Sequence, residues 1–364
     1  MESTFYPLLT FIISFSLTLA GMPFLLRFCK KAGLYDIPNE RKVHHNNIPR
    51  MGGVLFAPAM ALSMICAVAL MTSLHQDFLG IGPSTFLLLG ALFMIFCIGM
   101  IDDLIGLDAK IKFIVQFVAS LFMPLCNLYI NNLYGFCGIY EISPFIGYPL
   151  TIFISLLIIN AINLIDGIDG LASGLSVIAL GAFTVIFIRM DNTAFAMMCT
   201  ALLGTVLVFM GFNLFGNVER GMKTFMGDTG SLILGYSFAY LCIKYAMFNP
   251  AVFPIRPCPI LISFTLVLIP VFDLIRVAFE RLLRGKGIFS PDKTHIHHLF
   301  LATGMSMHHA LVCILLLQIG FDMVNFGLFY MLGVSSTLIV VIDIVAYAAV
   351  MAMLKRAGRK AHAA

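Results

Sequence analysis

The polar residues best able to do chemistry in this chain are Asp102-Asp103, Asp166 with Asp169, Asp228, and the run His295-Ile-His297-His298. They stand out because 60% of the 364 residues are hydrophobic and only 11% are charged, so a carboxylate is a scarce object here. A scarce charge that recurs where apolar runs end marks chemistry more often than solubility. Carboxylates hold hard divalent cations, while imidazole, Lys and Arg hold phosphate. The set describes an enzyme that handles phosphates at a membrane surface.

Each cluster has its own logic. Adjacent carboxylates such as Asp102-Asp103 repel, so keeping both ionised calls for a cation, either Lys112 or a divalent ion. Asn160, Asn163 and Asp166 are spaced by three and share a helical face, while Gly167 and Gly170 let the backbone leave that helix and approach a ligand closely. Amides and carboxylates on one stripe suit a nucleotide's base and ribose, or a metal. Asp228 lies between Gly227 and Gly230, where it either caps a helix or ligates Mg²⁺. The last cluster sits in a basic loop with Arg281, Arg284, Lys286 and Lys293 nearby and no adjacent cysteine, which favours a diphosphate over zinc.

The elements that must position these groups are apolar helices. Mean hydropathy is +1.00, and a bilayer crossing needs about 20 apolar residues. The pattern gives an all-α polytopic membrane protein of about eleven transmembrane helices (ten on a stricter count), forming a single helical domain. The spans fall at roughly 7–28, 52–73, 84–101, 111–131, 145–163, 171–189, 193–214, 230–248, 259–282, 309–331 and 334–354. The first has no basic leader before it and reads as a retained span, not a cleaved signal. The nine cysteines are scattered without CxxC spacing and read as small core residues.

Lys and Arg set the orientation. With the N-terminus outside, the basic segments 27–50 and 281–293, Lys110, Lys112, Arg220, Lys223 and the tail from Lys355 to Lys360 all fall inside. The cytoplasmic loops are then about 29–51, 102–110, 164–170, 215–229 and 283–308, and every candidate cluster lies at that face.

At this level of detail the chain resembles the polyprenyl-phosphate N-acetylhexosamine-1-phosphate transferases, above all the bacterial undecaprenyl-phosphate N-acetylglucosamine-1-phosphate transferases. The resemblance rests on Pro49-Arg-Met-Gly-Gly53, Asp102-Asp103, Lys112 with Gln116, Asn160 to Gly170, Phe225 to Ser231 and His295 to His298. It implies transfer of a sugar 1-phosphate from a UDP-N-acetylhexosamine to undecaprenyl phosphate, with Mg²⁺ or Mn²⁺ as cofactor. It further implies a bacterial inner-membrane location, a lipid-bilayer setting, a homodimer, and no nucleic-acid partner. Carried over by position, Asp228 ligates the metal, and Asp102 or Asp103 serves the lipid phosphate as base or, less simply, as nucleophile. Lys112, Arg281, His295, His297 and His298 hold phosphates, and Asn163, Asp166, Asp169 and Phe225 hold uridine.

Two other readings compete. A phospho-N-acetylmuramoyl-pentapeptide transferase carries three consecutive histidines after a proline, where this chain has His-Ile-His-His. A secondary transporter would place its polar residues at the bilayer midplane; only Asp322 and Asp343 do so here. A membrane sensor or scaffold leaves the carboxylates without a purpose.

Overall fold

Lipid offers no partner to an open backbone, so the apolar runs close their hydrogen bonds internally as helices. The computed structural model describes residues 2–36, 48–75, 83–250, 253–287 and 294–363. Its helices are α1 (Glu2–Ala32), α2 (Phe56–His75), α3 (Pro83–Ile105), α4 (Ala109–Leu125), α5 (Pro144–Ile165), α6 (Leu171–Arg189) and α7 (Thr193–Phe215), then α8 (Gly227–Ala246), α9 (Pro259–Thr265), α10 (Leu268–Leu283), α11 (Ile296–Ala302), α12 (Met307–Phe326) and α13 (Ser336–Ala363). Two small antiparallel pairs complete it: β1 (Tyr35–Asp36) with β2 (Ile48–Pro49), and β3 (Asn132–Phe136) with β4 (Ile139–Glu141).

The chain is an all-α polytopic membrane protein. Among the described residues, eight helices are long and apolar enough to cross a bilayer, and the bent pair α9–α10 makes a ninth if it is one span. Two of the eleven expected spans, the fourth and eighth, fall on α4 and α8. With 17 residues α4 is short, about 26 Å against a hydrocarbon core of about 30 Å. α8 opens on Gly-Asp-Thr-Gly-Ser and carries Lys244, which dilutes its apolar character. The expected ninth span is broken between Thr265 and Leu268, with a 72° bend.

One unit comprises Met1–Cys126 and Ala172–Ser237, the other Asn127–Leu171 and Phe238–Ala364. In the first, α1 packs along α7 and α2. Thr10 Oγ1 meets Thr200 Oγ1 at 2.8 Å across the α1–α7 seam, and Phe56 packs edge-on against Phe209 in the core. In the second, α5 packs along α10, and α11 lies against α12 and α13.

Candidate active site

In the first unit, two sequence motifs are joined by backbone before any side chain is used. Phe225 N donates to Pro49 O at 2.8 Å, Gly52 N to Phe225 O at 2.9 Å, and Gly53 N to Met226 O at 2.9 Å. Thr224 Oγ1 adds a bond to Pro49 O at 3.0 Å. Gly227 follows at φ +73°, where a Cβ would lie 2.1 Å from Arg50 O and 2.6 Å from Asp103 Oδ2. Only glycine can start α8 at this point.

The first turn of a helix leaves N–H groups without partners. For α8 they are met by Asp103, from the end of α3. Asp228 N donates to its Oδ1 at 2.8 Å, and Thr229 N and Thr229 Oγ1 donate to Oδ2 at 2.9 and 2.5 Å. Arg50 Nε bonds the Asp103 carbonyl at 2.8 Å, and the residue is buried. Asp103 therefore caps α8, and the capping role considered for Asp228 is already filled.

Asp102 faces elsewhere. Its Oδ1 accepts from Leu107 N at 2.6 Å, and its Oδ2 accepts from Lys112 Nζ at 3.1 Å. The same ammonium donates to Asp228 Oδ2. Lys112 reaches this position because α4 starts immediately after a short turn, with Asp108 capping it through Lys110 N at 2.7 Å. The adjacent carboxylates thus avoid repulsion by diverging: Asp103 takes backbone N–H groups, and Asp102 takes a cation shared with Asp228. Phe225 is half-buried, its backbone held in the ladder to residues 49–53.

In the second unit, α5 carries Asn160 and Asn163 and ends at Ile165, so Asp166 is the capping residue just past its end. Asn163, Asp166 and Asp169 are all partly exposed. At Gly167 a Cβ would lie 2.2 Å from His297 Cε1. The glycine makes room for that imidazole, joining the Asn160–Gly170 motif to the histidine motif.

The three histidines occupy different environments. His295 places Nδ1 2.8 Å from Asp273 Oδ2, so Nδ1 carries the proton, and Nε2 faces Arg281 Nη2 at 3.5 Å. Asp273 also accepts from Ile296 N at 3.0 Å, and Arg276 Nη2 bonds both Asp273 Oδ1 and Thr294 O at 2.6 Å. His297 is buried, and burial pushes its imidazole down to about 3, helped by His298 and His295. Burial thus favours its neutral form; Arg281 is buried beside His295, and His298 is partly exposed. The His298 ring lies 4.2 Å from that of His297. Lys293 lies outside the described residues.

Asp273 and Arg276 are the residues that sequence reasoning missed. They lie within the expected ninth span and were absorbed into it. Their signal was the spacing Asp273, Arg276, Glu280 on one helical face, since charge inside a span is functional by default.

Replacing Gly167 by Ala is expected to force His297 from its place. Overpacking of this kind costs about 1–3 kcal/mol. The measurement is thermal unfolding in detergent alongside activity; unchanged values for both would mean that His297 does not rest on Gly167.

Among the described residues, no three His, Cys, Asp or Glu side chains gather to form a metal site by themselves.

The chain is similar to known proteins over most of its length. The pattern of glycosyl transferase family 4 matches residues 85–246, a segment holding Asp102, Asp103, Lys112, Asp166, Asp169 and Asp228. The "Undecaprenyl-phosphate alpha-N-acetylglucosaminyl 1-phosphate transferase" of Yersinia pestis is 33% identical over 289 residues, 79% of this chain and 74% of the relative. The protein of that name from Escherichia coli (strain K12) is 32% identical over 80% of this chain and 76% of its own length. The "Probable undecaprenyl-phosphate N-acetylglucosaminyl 1-phosphate transferase" of Bacillus subtilis (strain 168) is 33% identical over 85% of this chain and 81% of its own.

Proposed function

The chain belongs to glycosyl transferase family 4, and from that premise we propose that it transfers N-acetylglucosamine 1-phosphate from the UDP-sugar to undecaprenyl phosphate. The products are undecaprenyl-diphospho-N-acetylglucosamine and UMP. The observation that carries the reading is the Asp102–Lys112–Asp228 cluster: two carboxylates on one cation, where α3 ends and α4 and α8 begin, in a chain whose relatives carry that activity in their names.

A lipid-phosphate oxygen attacks the β-phosphorus. The new bond joins the two phosphates, and the bond from the β-phosphorus to the bridging oxygen breaks, so UMP leaves with that oxygen. One phosphoanhydride replaces another, which leaves the enzyme mainly the tasks of positioning and charge stabilisation.

The donor set fits Mg²⁺ or Mn²⁺. Asp228 Oδ2 already faces a cation, the Lys112 ammonium, and its side chain is 27% exposed. An oxygen-only set with few protein ligands is what Mg²⁺ accepts when it shares its shell with substrate phosphates and water. Asp228 would hold the metal, which when bound neutralises diphosphate charge and polarises the phosphorus.

The remaining roles belong to the chain's own residues. Asp103 holds α8 in register and so places Asp228. Asp102 orients and deprotonates the lipid phosphate, and Lys112 moves between carboxylates and phosphate. Arg281, His295 and His298 hold phosphate oxygens, with His297 as the wedge that sets their loop. Asn163, Asp166, Asp169 and Phe225 hold uridine. The basic loops and these clusters face the cytoplasm of a bacterial inner membrane, and the enzyme works as a homodimer.

The test is purified protein with undecaprenyl phosphate, Mg²⁺ and a panel of UDP-sugars, reading UMP release and label in extractable lipid. UDP-N-acetylglucosamine should be the best donor. Release of UMP only with the muramoyl-pentapeptide donor would replace this reading with the peptidoglycan one, and no release with any donor would end it.

A further inference from the structure

In a continuous helix through residues 259–283, Ile269 N would donate to Thr265 O, four residues earlier. Here that bond is replaced by a side chain. Gln318 of α12 accepts from Ile269 N through Oε1 at 3.1 Å and donates through Nε2 to Thr265 O at 2.8 Å. Its amide is spliced into the ladder at the break between α9 and α10. A side chain inserted there is one of the recognised causes of a sharp kink. Pro270 supplies the other, because it has no N–H for Leu266 O.

The glutamine is itself held. It is fully buried, and its Nε2 also donates to Asp322 Oδ1 at 2.9 Å. Two turns further along α12, Asn325 donates to Thr265 Oγ1 at 3.1 Å and to Asp343 Oδ2 of α13 at 2.8 Å. This accounts for both acids inside late spans, Asp322 and Asp343: they anchor the two amides of α12 that hold the end of α9.

We propose that Gln318 is a positioning residue for the active site: its amide sets the angle of the α9–α10 break and thereby aims the face of α10 that holds the histidine loop. The proposal rests on the transferase reading above. Pro270 removes one bond and its ring crowds the carbonyl four residues earlier, which favours a kink without fixing its angle. Gln318 chooses it, because one rigid amide must meet a donor and an acceptor at once. Downstream on α10 lie Asp273, bonded to His295 and Ile296 N, and Arg276, bonded to Thr294 O. A change in the angle of α10 carries these partners away from residues 294–296.

Two variants test this. Gln318→Met keeps length and suits a membrane interior but bonds neither group. Gln318→Asn keeps the amide but is one methylene too short to reach both. For each, amide hydrogen exchange across residues 294–298 is measured without substrate, and kcat and KM with it. The expected result is exchange at Ile296 at least about tenfold faster, unchanged exchange in α1 and α7, and kcat down about tenfold with KM for the UDP-sugar within about threefold. Wild-type exchange at Ile296 in both variants would overturn the proposal, and so would a rise spread equally over α1 and α7, which marks general loosening. The exchange arm needs no substrate, so its failure counts against Gln318 alone. Absence of UMP release by the unaltered enzyme counts against the transferase reading alone.

Discussion

Asp228→Asn should leave a folded, membrane-inserted protein with turnover reduced roughly a thousandfold, in line with the loss of one preorganised group that meets transition-state charge. The structure explains why folding should survive. The opening turn of α8 is capped by Asp103, through the backbone N–H of residue 228 and through Thr229, and the Asn variant keeps that N–H. Lys112 loses one anionic partner but retains Asp102. What disappears is the anionic oxygen offered to the metal, so the Mg²⁺ concentration for half-maximal residual activity should rise. The checks are unfolding temperature, UMP release and a Mg²⁺ titration. Near-normal turnover in saturating Mg²⁺, with an unchanged metal dependence, would remove Asp228 from the metal site.

The second large effect separates two neighbours. Asp102→Asn should lower turnover at least a hundredfold, on the scale of a lost general base, while unfolding temperature and UDP-sugar affinity by calorimetry stay close to wild type. Its carboxylate accepts from Leu107 N and Lys112 and lies beside Asp228, none of which is a helix cap. The loss should soften as pH rises, because a phosphate monoester with a second pKa near 6 becomes dianionic and no longer needs a base. Asp103→Asn should behave differently. An amide in place of that carboxylate keeps one acceptor for three donors, and hydrogen bonds to a charged group are worth about 1.5–3 kcal/mol each. Lower thermal stability should therefore accompany its loss of activity at every pH. If Asp102→Asn turned over normally but bound UDP-sugar poorly, the residue would belong to the nucleotide site. If Asp103→Asn were as stable as wild type, the capping assignment would fail.

Much of the architecture was legible before any coordinates, because the bilayer imposes it. Long apolar runs must be helices when no solvent can satisfy the backbone, and hydropathy reports their length directly. The discrepancies came where a helix is short, as α4, or polar at its start, as α8, or broken, as α9–α10. Hydropathy averages over a window and is blind to a two-residue interruption. Pro270 was visible, but its consequence depended on Gln318, 48 positions away in the chain and close only after folding.

The candidate site divides along the same line. Residue type and local spacing were enough to choose Asp102, Asp103, Lys112, Asp228 and the histidine run, since scarce charge in an apolar chain is a local property of the sequence. They could not say that Asp103 caps α8 while Asp102 faces Lys112, because two adjacent carboxylates look alike until another helix arrives to claim one of them. Nor could they say that Gly167 receives His297, or that His295 leans on Asp273 from within a span. The sequence by itself determined the chemical inventory and the helical, membrane-spanning class, both set by composition and periodicity. The tertiary structure alone decided the division of labour, because each role depends on a distance between residues far apart in the chain.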